Sequence, residues 1–530
     1  MITLLLLVAA FCILGWGLYR SRSYGRLGLL SWFQSLVVAL PWMLFFGLSL
    51  LGVVLNLVTI LLLLFGSTAT YIWLGRQMRA IAKAQDESDR STVFSEISDP
   101  QSSSSESLQT GPLQSPSSGM MSAKDASRPS SEGLEAMGVL HSSLPKAPLD
   151  PEKMGGLDPM PEEDSQLIKT IFSIDTFFST DQIAYYNGVI FKGNLRGEAD
   201  AVHSRLSQRL KDLMGAKYRL FMMDDPSINP PKPIVVVLPS ANDPAPSNRV
   251  QWVIAAFLFV ATGFTCMVAA SIFQGFSLLE DWRRWPDTLP LTIGIVLVLV
   301  AHEFGHWVTA RRYDVRLGPP FLLPTWQIGS FGGLTRIESV MPNRTALFDI
   351  GFSGPAVGGA LSFVFLLVGL TLSHEGSVFH LSPTFFHSSI LVGTLSRVML
   401  GNQIQNTLVD INPLVIVGWL GLLITAINVI PVGQLDGGRI VQAIYGRKTL
   451  RRTSIVSLLV LAIATFFNPL ALYWLVVILL LQRQLEQPQL NELTEPDDTR
   501  AVLGLVALFL MVAMLLPLSP ELATRIGIGG

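Results

Sequence analysis

Residues 291–312, LTIGIVLVLVAHEFGHWVTARR, carry a metal-binding pattern inside a stretch that is apolar enough to cross a membrane. His302 and His306 are four residues apart, so both imidazoles leave the same face of a helix. Within the predicted span of residues 288–310, Glu303 is the only formally charged side chain. Because an unpaired carboxylate in lipid is unfavourable, this helix is expected to turn its polar residues toward a site inside the protein.

The rest of the chain has the composition of a polytopic α-helical membrane protein, and a lipid bilayer is its predicted surrounding. Half of the 530 residues are hydrophobic, 14% are charged and the mean hydropathy is +0.47, whereas about a quarter of residues are charged in soluble domains. The net charge of −2 gives no basis for a nucleic-acid partner. With about 20 residues per crossing, eight or nine spans are predicted. They fall in three regions: an N-terminal anchor of about three spans (1–83), a core (250–447) and a C-terminal segment (448–530), in which residues 453–481 form one kinked span or a tight hairpin.

Two segments between the anchor and the core lack this apolar character. Residues 84–163 contain SSSSES, SPSSG and PSSEG without an apolar period, which predicts a disordered linker. Residues 164–240 predict a small soluble α+β domain of β-α-β-β type, in which QIAYYNGVIFKGNLRG is one strand ending at a Gly-rich turn. Its helix has four apolar residues on one face: Val202, Leu206, Leu210 and Leu213. The turn GNLRG is a candidate anion cradle, but it lacks the full dinucleotide and Walker patterns, which favours a structural turn.

Basic residues predict the orientation of the spans. Arg311, Arg312 and Arg316 follow the HEFGH helix, so the metal pattern is expected near the cytoplasmic end of its span. The loop EDWRRWPD and the loop near His374 are then expected on the opposite side. The sequence does not start with an Arg- and Ser-rich transit peptide, which predicts a bacterial, cyanobacterial source and a plasma or thylakoid membrane.

Two histidines at this spacing need a third protein ligand if they are to hold one Zn²⁺ and leave a position for water. Bound zinc lowers the pKa of water to about 7, and the adjacent Glu303 is placed to accept its proton. Asp436 is the best-placed third ligand, because Pro431 and the two glycines after Asp436 free the backbone from helix geometry. The acidic candidates downstream of HEFGH are Asp314, Glu338, Asp349, Asp410 and Asp436.

These residues resemble the site-2 protease family of intramembrane zinc metalloproteases. Its two motifs, HExxH in one span and N-x-x-P-x-x-x-x-D-G in a later one, are matched here by HEFGH and by the segment from Asn428 to Gly437. The stretch GSFGGLTRIESVMPNRTALFDIGFSGPAVGG is similar to the family's Gly-rich membrane-associated strand segment and its G-P helix. GNLRG and VGQLDGGRIVQA resemble the plastid and cyanobacterial branch, the ethylene-dependent gravitropism-deficient and yellow-green type. The resemblance covers about residues 164–447.

The resemblance implies a function and a role for each site residue. His302, His306 and Asp436 would be zinc ligands, Glu303 the catalytic base, and Asn428 a residue that helps hold the substrate or the oxyanion. The reaction would be cleavage of transmembrane protein substrates, membrane-anchored regulators among them, in regulated intramembrane proteolysis. A strand within residues 326–336 would pair with the unwound substrate.

Two other functions fit parts of the pattern. A divalent-metal transporter of the ZIP kind also carries an HExxH-like span, but it resembles H-E-x-x-H-E, and Trp307 stands where the second Glu would be. A non-catalytic membrane scaffold would have lost its base or a ligand, whereas all four positions are filled here. Metal content combined with a cleavage assay separates the three functions.

Overall fold

A computed structural model describes residues 160–225, 231–466, 468–481 and 486–518, together with scattered positions between 14 and 77 and at 523 and 528. Most of the predicted anchor (1–83) and nearly all of the predicted linker (84–163) lie outside the described residues. Two compact units divide the chain, Met1–Lys124 and Asp125–Gly530. The elements below all belong to the second unit.

A four-stranded antiparallel sheet with two helices, which we call the sheet domain, begins this unit. Its elements are α1 (Glu162–Lys169), β1 (Phe177–Tyr185), β2 (Gly188–Leu195), α2 (Ala199–Met214), β3 (Tyr218–Asp224) and β4 (Pro233–Pro239). The strand order is β1-β2-β4-β3, so β1 and β3 are the edges of the sheet. Helix α2 packs its buried face against the sheet through Val202, Leu206 and Leu210.

Two details of the predicted α+β domain are wrong. QIAYYNGVIFKGNLRG is a hairpin rather than one strand, because the chain reverses at Tyr186 and Asn187 and Tyr185 pairs with Gly188. An Asn-Gly pair, here Asn187 and Gly188, is a known hairpin signal. The hairpin changes the order of these elements from β-α-β-β to β-β-α-β-β. Leu213, predicted on the apolar face, is 51% exposed, next to the end of α2 at Met214.

Eight helices follow the sheet domain among the described residues. They are α3 (Arg249–Phe273), α4 (Trp285–Arg312), α5 (Arg344–Thr371), α6 (Ile390–Leu400), α7 (Pro413–Asn428), α8 (Asp436–Ala464), α9 (Pro469–Leu481) and α10 (Asp498–Leu515). Four of them, α3, α4, α5 and α10, are long and apolar enough to span a membrane, and α7 and α9 are shorter apolar helices. The helical membrane-protein class is confirmed, whereas a total of eight or nine spans is not confirmed by the described residues. Helix α8 ends at Ala464 and α9 begins at Pro469. The two helices contact each other, which is consistent with the hairpin alternative for residues 453–481.

Polar side chains fix where the long helices begin. The side-chain oxygen of Asn248 accepts a hydrogen bond from the backbone N–H of Gln251, and the backbone N–H of Asn248 donates to Oε1 of Gln251, which forms a capping box at α3. Asn343 caps α5 and Asp497 caps α10 in the same way, each through its side-chain oxygen. These caps satisfy backbone N–H groups that have no partner within the helix, so each span starts at a defined residue.

Two small antiparallel sheets connect the helices. Their strands are β5 (Phe321–Thr325) with β6 (Gly329–Leu334), and β7 (Phe379–Leu381) with β8 (Val409–Ile411). The β5–β6 hairpin packs on α3, and β6 also contacts α4 and α7. The Gly-rich strand predicted within residues 326–336 is therefore β6, held against the helix that carries HEFGH.

Residues 486–494, which we call the strap, return from α9 to the sheet domain. The backbone N–H of Met222 on β3 donates to the carbonyl of Leu490 (2.8 Å), and the N–H of Glu492 donates back to the carbonyl of Met222 (2.9 Å). On its other side the strap donates from Leu490 and Asn491 to the carbonyls of Met341 and Pro342, just before α5. The strap thus covers the β3 edge and joins the sheet domain to the helical core.

Candidate metal centre

His302 and His306 on α4 meet Asp436, the first residue of α8. The Oδ2 atom of Asp436 lies 3.0 Å from Nε2 of His302 and 3.3 Å from Nε2 of His306, and the two Nε2 atoms are 3.2 Å apart. All three side chains are buried. Among the residues that the structure describes, this is the one group of three or more His, Cys, Asp or Glu side chains close enough to hold a metal ion.

The donor set and its spacing fit zinc. Two imidazoles and one carboxylate are a common set of protein ligands at catalytic zinc sites. Tetrahedral ligands about 2.0–2.1 Å from zinc lie roughly 3.3 Å from one another, and the observed separations run from 3.0 to 3.3 Å. The family's ion therefore fits the site without a rearrangement of the three side chains.

Three of the other four acidic candidates for a third ligand have different partners, and Asp314, in the turn after α4, is not in the group with the histidines. Glu338, in the loop before α5, accepts a hydrogen bond from Ser247, which lies just before α3. Asp349 forms two hydrogen bonds with Arg500 (2.7 and 2.8 Å). Asp410 lies on β8 beside His380. Asp436 is therefore the acidic candidate that the structure brings to the histidine pair, and its role as a ligand stays a prediction.

Helix α5 sets the orientation of the histidines. Nδ1 of His306 donates to the carbonyl of Ile350 (2.7 Å), which leaves Nε2 as the free nitrogen. Gly354 and Gly358 lie directly against the rings of His306 and His302, where an added Cβ would collide. The sequence SGPAVGG thus allows α5 to approach α4 closely enough to hold both imidazoles.

The break between α7 and α8 turns Asp436 inward. Helix α7 ends at Asn428, and α8 starts again at Asp436, where the helix N-terminus favours a negative charge. Gly437 and Gly438 lie against the backbone carbonyls of Val429 and Gly433, with no room for a Cβ. The two glycines, predicted to free the backbone from helix geometry, instead lie in the first turn of α8 and let it pack closely against residues 429–433.

Glu303 is held by a residue that the sequence did not single out. The hydroxyl of Thr335, just after β6, donates to Oε2 of Glu303 (2.6 Å). The other oxygen, Oε1, faces Gly333 on β6, where a Cβ would touch it. The Gly-rich strand thus passes directly over the carboxylate that is expected to act as the base.

Asn428 also contacts this strand. Its side-chain Nδ2 donates to the carbonyls of Phe331 on β6 and Ile424 on α7, both at 2.9 Å. In this arrangement Asn428 fastens β6 to α7. Its expected part in holding the substrate or the oxyanion stays a prediction.

A second residue missed by the sequence is Arg439, one turn along α8 from Asp436. Its guanidinium donates to Oε2 of Glu486 (3.1 Å) and to the carbonyl of Thr335 (2.6 Å), and lies 3.6 Å from Oδ1 of Asp436. An arginine in an apolar segment directly after D-G-G was the available signal, since a buried cation requires a partner.

The turn GNLRG shows no sign of an anion cradle. Asp200 occupies the first turn of α2, and its Oδ1 accepts hydrogen bonds from Asn491 (2.5 Å) and Thr494 (3.0 Å) of the strap. A carboxylate already lies where an anion would bind, so the structural-turn alternative is favoured.

Two known protein families match parts of the chain. Residues 166–244 match the EGY3 middle domain and residues 290–467 match peptidase family M50. The probable zinc metalloprotease EGY2, chloroplastic, of Arabidopsis thaliana is 36% identical over 365 residues, which are 68% of this chain and 65% of that protein. The probable zinc metalloprotease EGY1, chloroplastic, of Arabidopsis thaliana is 35% identical over 416 residues, 72% of this chain and 75% of that protein. No solved structure is significantly similar.

The match has two consequences. The chain spans just under two thirds of the EGY2 proteins, 65% of that of Arabidopsis thaliana and 64% of that of Oryza sativa subsp. indica. The relatives are chloroplastic plant proteins, which points to a plastid membrane. The predicted bacterial source and cyanobacterial plasma or thylakoid membrane are therefore wrong. That prediction rested on the composition of the first residues of the sequence, and this composition does not identify the organism or the compartment of a protein.

Proposed function

Because the chain belongs to peptidase family M50, in the branch of the EGY zinc metalloproteases, we propose that it is an intramembrane zinc endopeptidase that cleaves membrane-spanning proteins. The observation that carries this proposal is the buried group of His302, His306 and Asp436 beside Glu303, on helices of the described core. The relatives are named metalloproteases, which favours a protease over a metal transporter or an inactive scaffold.

The zinc would be held by Nε2 of His302, Nε2 of His306 and Oδ2 of Asp436. When bound, zinc supplies a Lewis acid that polarises a carbonyl and makes water nucleophilic near neutral pH. The hydrogen bond from His306 to Ile350 keeps that ring in one orientation and one tautomer. The ligands are thus fixed before any substrate arrives.

Glu303 would move the proton. It takes a proton from the attacking water and gives it to the nitrogen of the leaving amine. Thr335 holds Oε2, so Oε1, the oxygen that faces β6, is the one free to exchange the proton. This geometry puts proton transfer on the side of the Gly-rich strand.

The substrate would lie along β6. The carbonyls of a helical substrate are hydrogen-bonded within the helix, so it must unwind before it is cut. In the two-stranded sheet β6 pairs with β5 along one edge, and its other edge is proposed to pair with the unwound chain as an added strand. Gly332 lies against Asn428 and Gly333 against Glu303, so a chain paired there would run past both side chains.

The arrangement of the whole chain is part of the proposal. Residues 1–83 would anchor it by about three spans, residues 84–163 would link, and the complete protein would have eight or nine spans. The sheet domain, placed within residues 164–240, is proposed to dock or filter substrates, because the strap and the loop before α5 join it to the core. The core would run over residues 250–447 and the C-terminal spans over residues 448–530.

The experiment uses the full chain in liposomes together with membrane-anchored test proteins. We expect wild type to contain one zinc ion and to cleave within a membrane span. Glu303→Gln keeps the ligands and removes only the proton acceptor, so zinc should remain while cleavage falls by about 10²–10⁴-fold, the usual contribution of general acid–base catalysis. Full zinc with near wild-type cleavage in this variant would contradict the mechanism. Zinc transport without cleavage in wild type would replace the proposal by a transporter.

A further inference from the structure

A buried ion pair lies next to the metal centre and is not explained by zinc binding. Arg439 is 3% exposed and Glu486 is 6% exposed. Nε of Arg439 lies 3.1 Å from Oε2 of Glu486. Burying two charges is unfavourable unless their geometry and hydrogen bonds compensate, and removing one partner leaves the other uncompensated. The burial of this ion pair beside the metal centre therefore suggests that it has a role there.

The guanidinium divides its nitrogens among three partners. Nε donates to Glu486 and Nη2 donates to the carbonyl of Thr335, whereas Nη1 stays 3.6 Å from Oδ1 of Asp436, beyond hydrogen-bond distance. Asp436 keeps Oδ2 directed at the two histidines. Glu486 thus holds Arg439 at a distance from which its positive charge stabilises the Asp436 carboxylate without a direct hydrogen bond to it.

The same arginine reaches the expected base by a second route. It binds the carbonyl of Thr335, and the hydroxyl of Thr335 donates to Glu303. One side chain therefore touches the residue that orients Glu303 and lies beside the acidic zinc ligand. A change in the position of Arg439 would disturb both.

Glu486 is supplied by the strap rather than by the helical core. Its backbone carbonyl accepts a hydrogen bond from Arg447 (2.7 Å), and four residues further on the strap pairs with β3. Arg447 also lies 3.7 Å from the partly buried Glu492 of the strap. The carboxylate that restrains Arg439 is thus positioned through the junction with the sheet domain.

We propose that Arg439 and Glu486 are a positioning pair, in which Glu486 keeps Arg439 from competing with zinc for Asp436 while Arg439 orients Thr335 and hence Glu303. This inference rests on the proposed zinc site. Neither residue touches the substrate or the ion. Without Glu486, the guanidinium is free to close on Asp436 as a two-pronged hydrogen-bond donor, and zinc must displace it.

The test measures the zinc affinity of the purified full chain by chelator competition. We expect Glu486→Gln to weaken zinc binding by roughly 10–100-fold, the usual effect of losing an outer-shell partner. The double variant Arg439→Gln/Glu486→Gln removes the competing cation as well, so it should recover most of the lost affinity. Glu492→Gln is the matched control on the same strap, and it should keep wild-type affinity because Glu492 pairs with Arg447.

Three results would overturn the proposed role of the pair. They are an unchanged zinc affinity in Glu486→Gln, an equal loss of zinc affinity in Glu492→Gln, and no recovery of zinc affinity in the double variant. An equal loss in the control would assign the effect to loosening of the strap. Because zinc affinity is read without a substrate, a failure to find cleavage contradicts the proposed function and leaves this test intact. Absence of zinc from wild type would overturn both. If Glu486→Gln does not fold, Glu486→Asp, whose shorter side chain retracts from the 3.1 Å contact with Arg439, supplies the single-variant loss, and the double variant Arg439→Gln/Glu486→Asp supplies the recovery.

Discussion

At the residue scale, the two carboxylate oxygens of Asp436 contact different groups. Oδ2 of Asp436 faces the histidines and Oδ1 faces Arg439. A carboxylate at the first position of a helix also gains from the helix dipole. Asp436 is therefore held in one orientation from two sides, as a ligand requires.

Removing this carboxylate is expected to abolish tight zinc binding. Asp436→Ala leaves two protein ligands, too few for a tight tetrahedral site, so zinc content should fall to a small fraction of wild type. Asp349→Ala is the control, because Asp349 pairs with Arg500 and Tyr313. Metal analysis of both purified variants decides. Zinc retained in Asp436→Ala and lost in Asp349→Ala would identify the wrong third ligand.

The site residues that the sequence found differ in kind from those that it missed. His302, Glu303 and His306 are read from local spacing. Asp436 was indicated by a helix break next to two glycines. Thr335 reaches Glu303 across 32 residues of chain, Arg439 reaches Thr335 across 104 residues, and Glu486 lies 47 residues from Arg439. Such pairs depend on how β6, α8 and the strap pack together, which periodicity does not encode.

At the scale of elements, the close packing of α4 and α5 is what holds the histidines. Gly354 lies against Nε2 of His306, whereas Gly359 on the same helix has only Thr425 nearby, at an ordinary contact distance of 3.4 Å from an added Cβ. One face of α5 is therefore intolerant of any side chain, and the neighbouring face is not.

Two alanine substitutions on α5 should separate these faces. Gly354→Ala puts a methyl group onto Nε2 of His306, the nitrogen proposed to bind zinc, so the helices must move apart or the ring must turn. We expect zinc affinity to fall by about tenfold or more, as for other changes in ligand support. Gly359→Ala should bind zinc as wild type does. Equal affinities in the two variants would mean that α5 does not set the ring position.

The elements themselves were largely predictable. The span predicted at residues 288–310 is α4, which is longer by three residues at its start and two at its end, because apolar length and flanking arginines set helix limits. The β1–β2 hairpin was missed because two strands joined by a two-residue turn look like one long apolar run. The turn residues Tyr186 and Asn187 carried the distinction.

At the scale of the whole molecule, the chain between the long helices alternates between two ends. The sheet domain, the loop before α5 and the strap meet at one end. The loop EDWRRWPD joins the far ends of α3 and α4, and β7 and β8 lie between the far ends of α5 and α7. The metal centre is closer to the first end, since His302 lies ten residues before the end of α4, about 15 Å along its axis.

This arrangement predicts which loops a membrane separates. A cysteine at Asp281, in the EDWRRWPD loop, and one at the exposed Lys211 of the sheet domain should react with an impermeant thiol reagent from opposite sides. Of the two native cysteines, Cys12 is replaced by serine for this assay, and Cys266 is buried and should stay silent. Labelling of sealed vesicles from each side is the measurement. Reaction of both new cysteines from one side would overturn the topology inferred from the basic flanks.

The strap also fixes an order of assembly. A chain that has been synthesised only as far as Ala464 already carries both histidines, the glutamate and the aspartate, yet it has neither Glu486 nor the segment that covers β3. An uncovered sheet edge invites pairing with other chains, so the newly synthesised sheet domain has an open β3 edge until the strap emerges. The residue that positions Arg439 is therefore synthesised after the side chains that form the proposed metal centre.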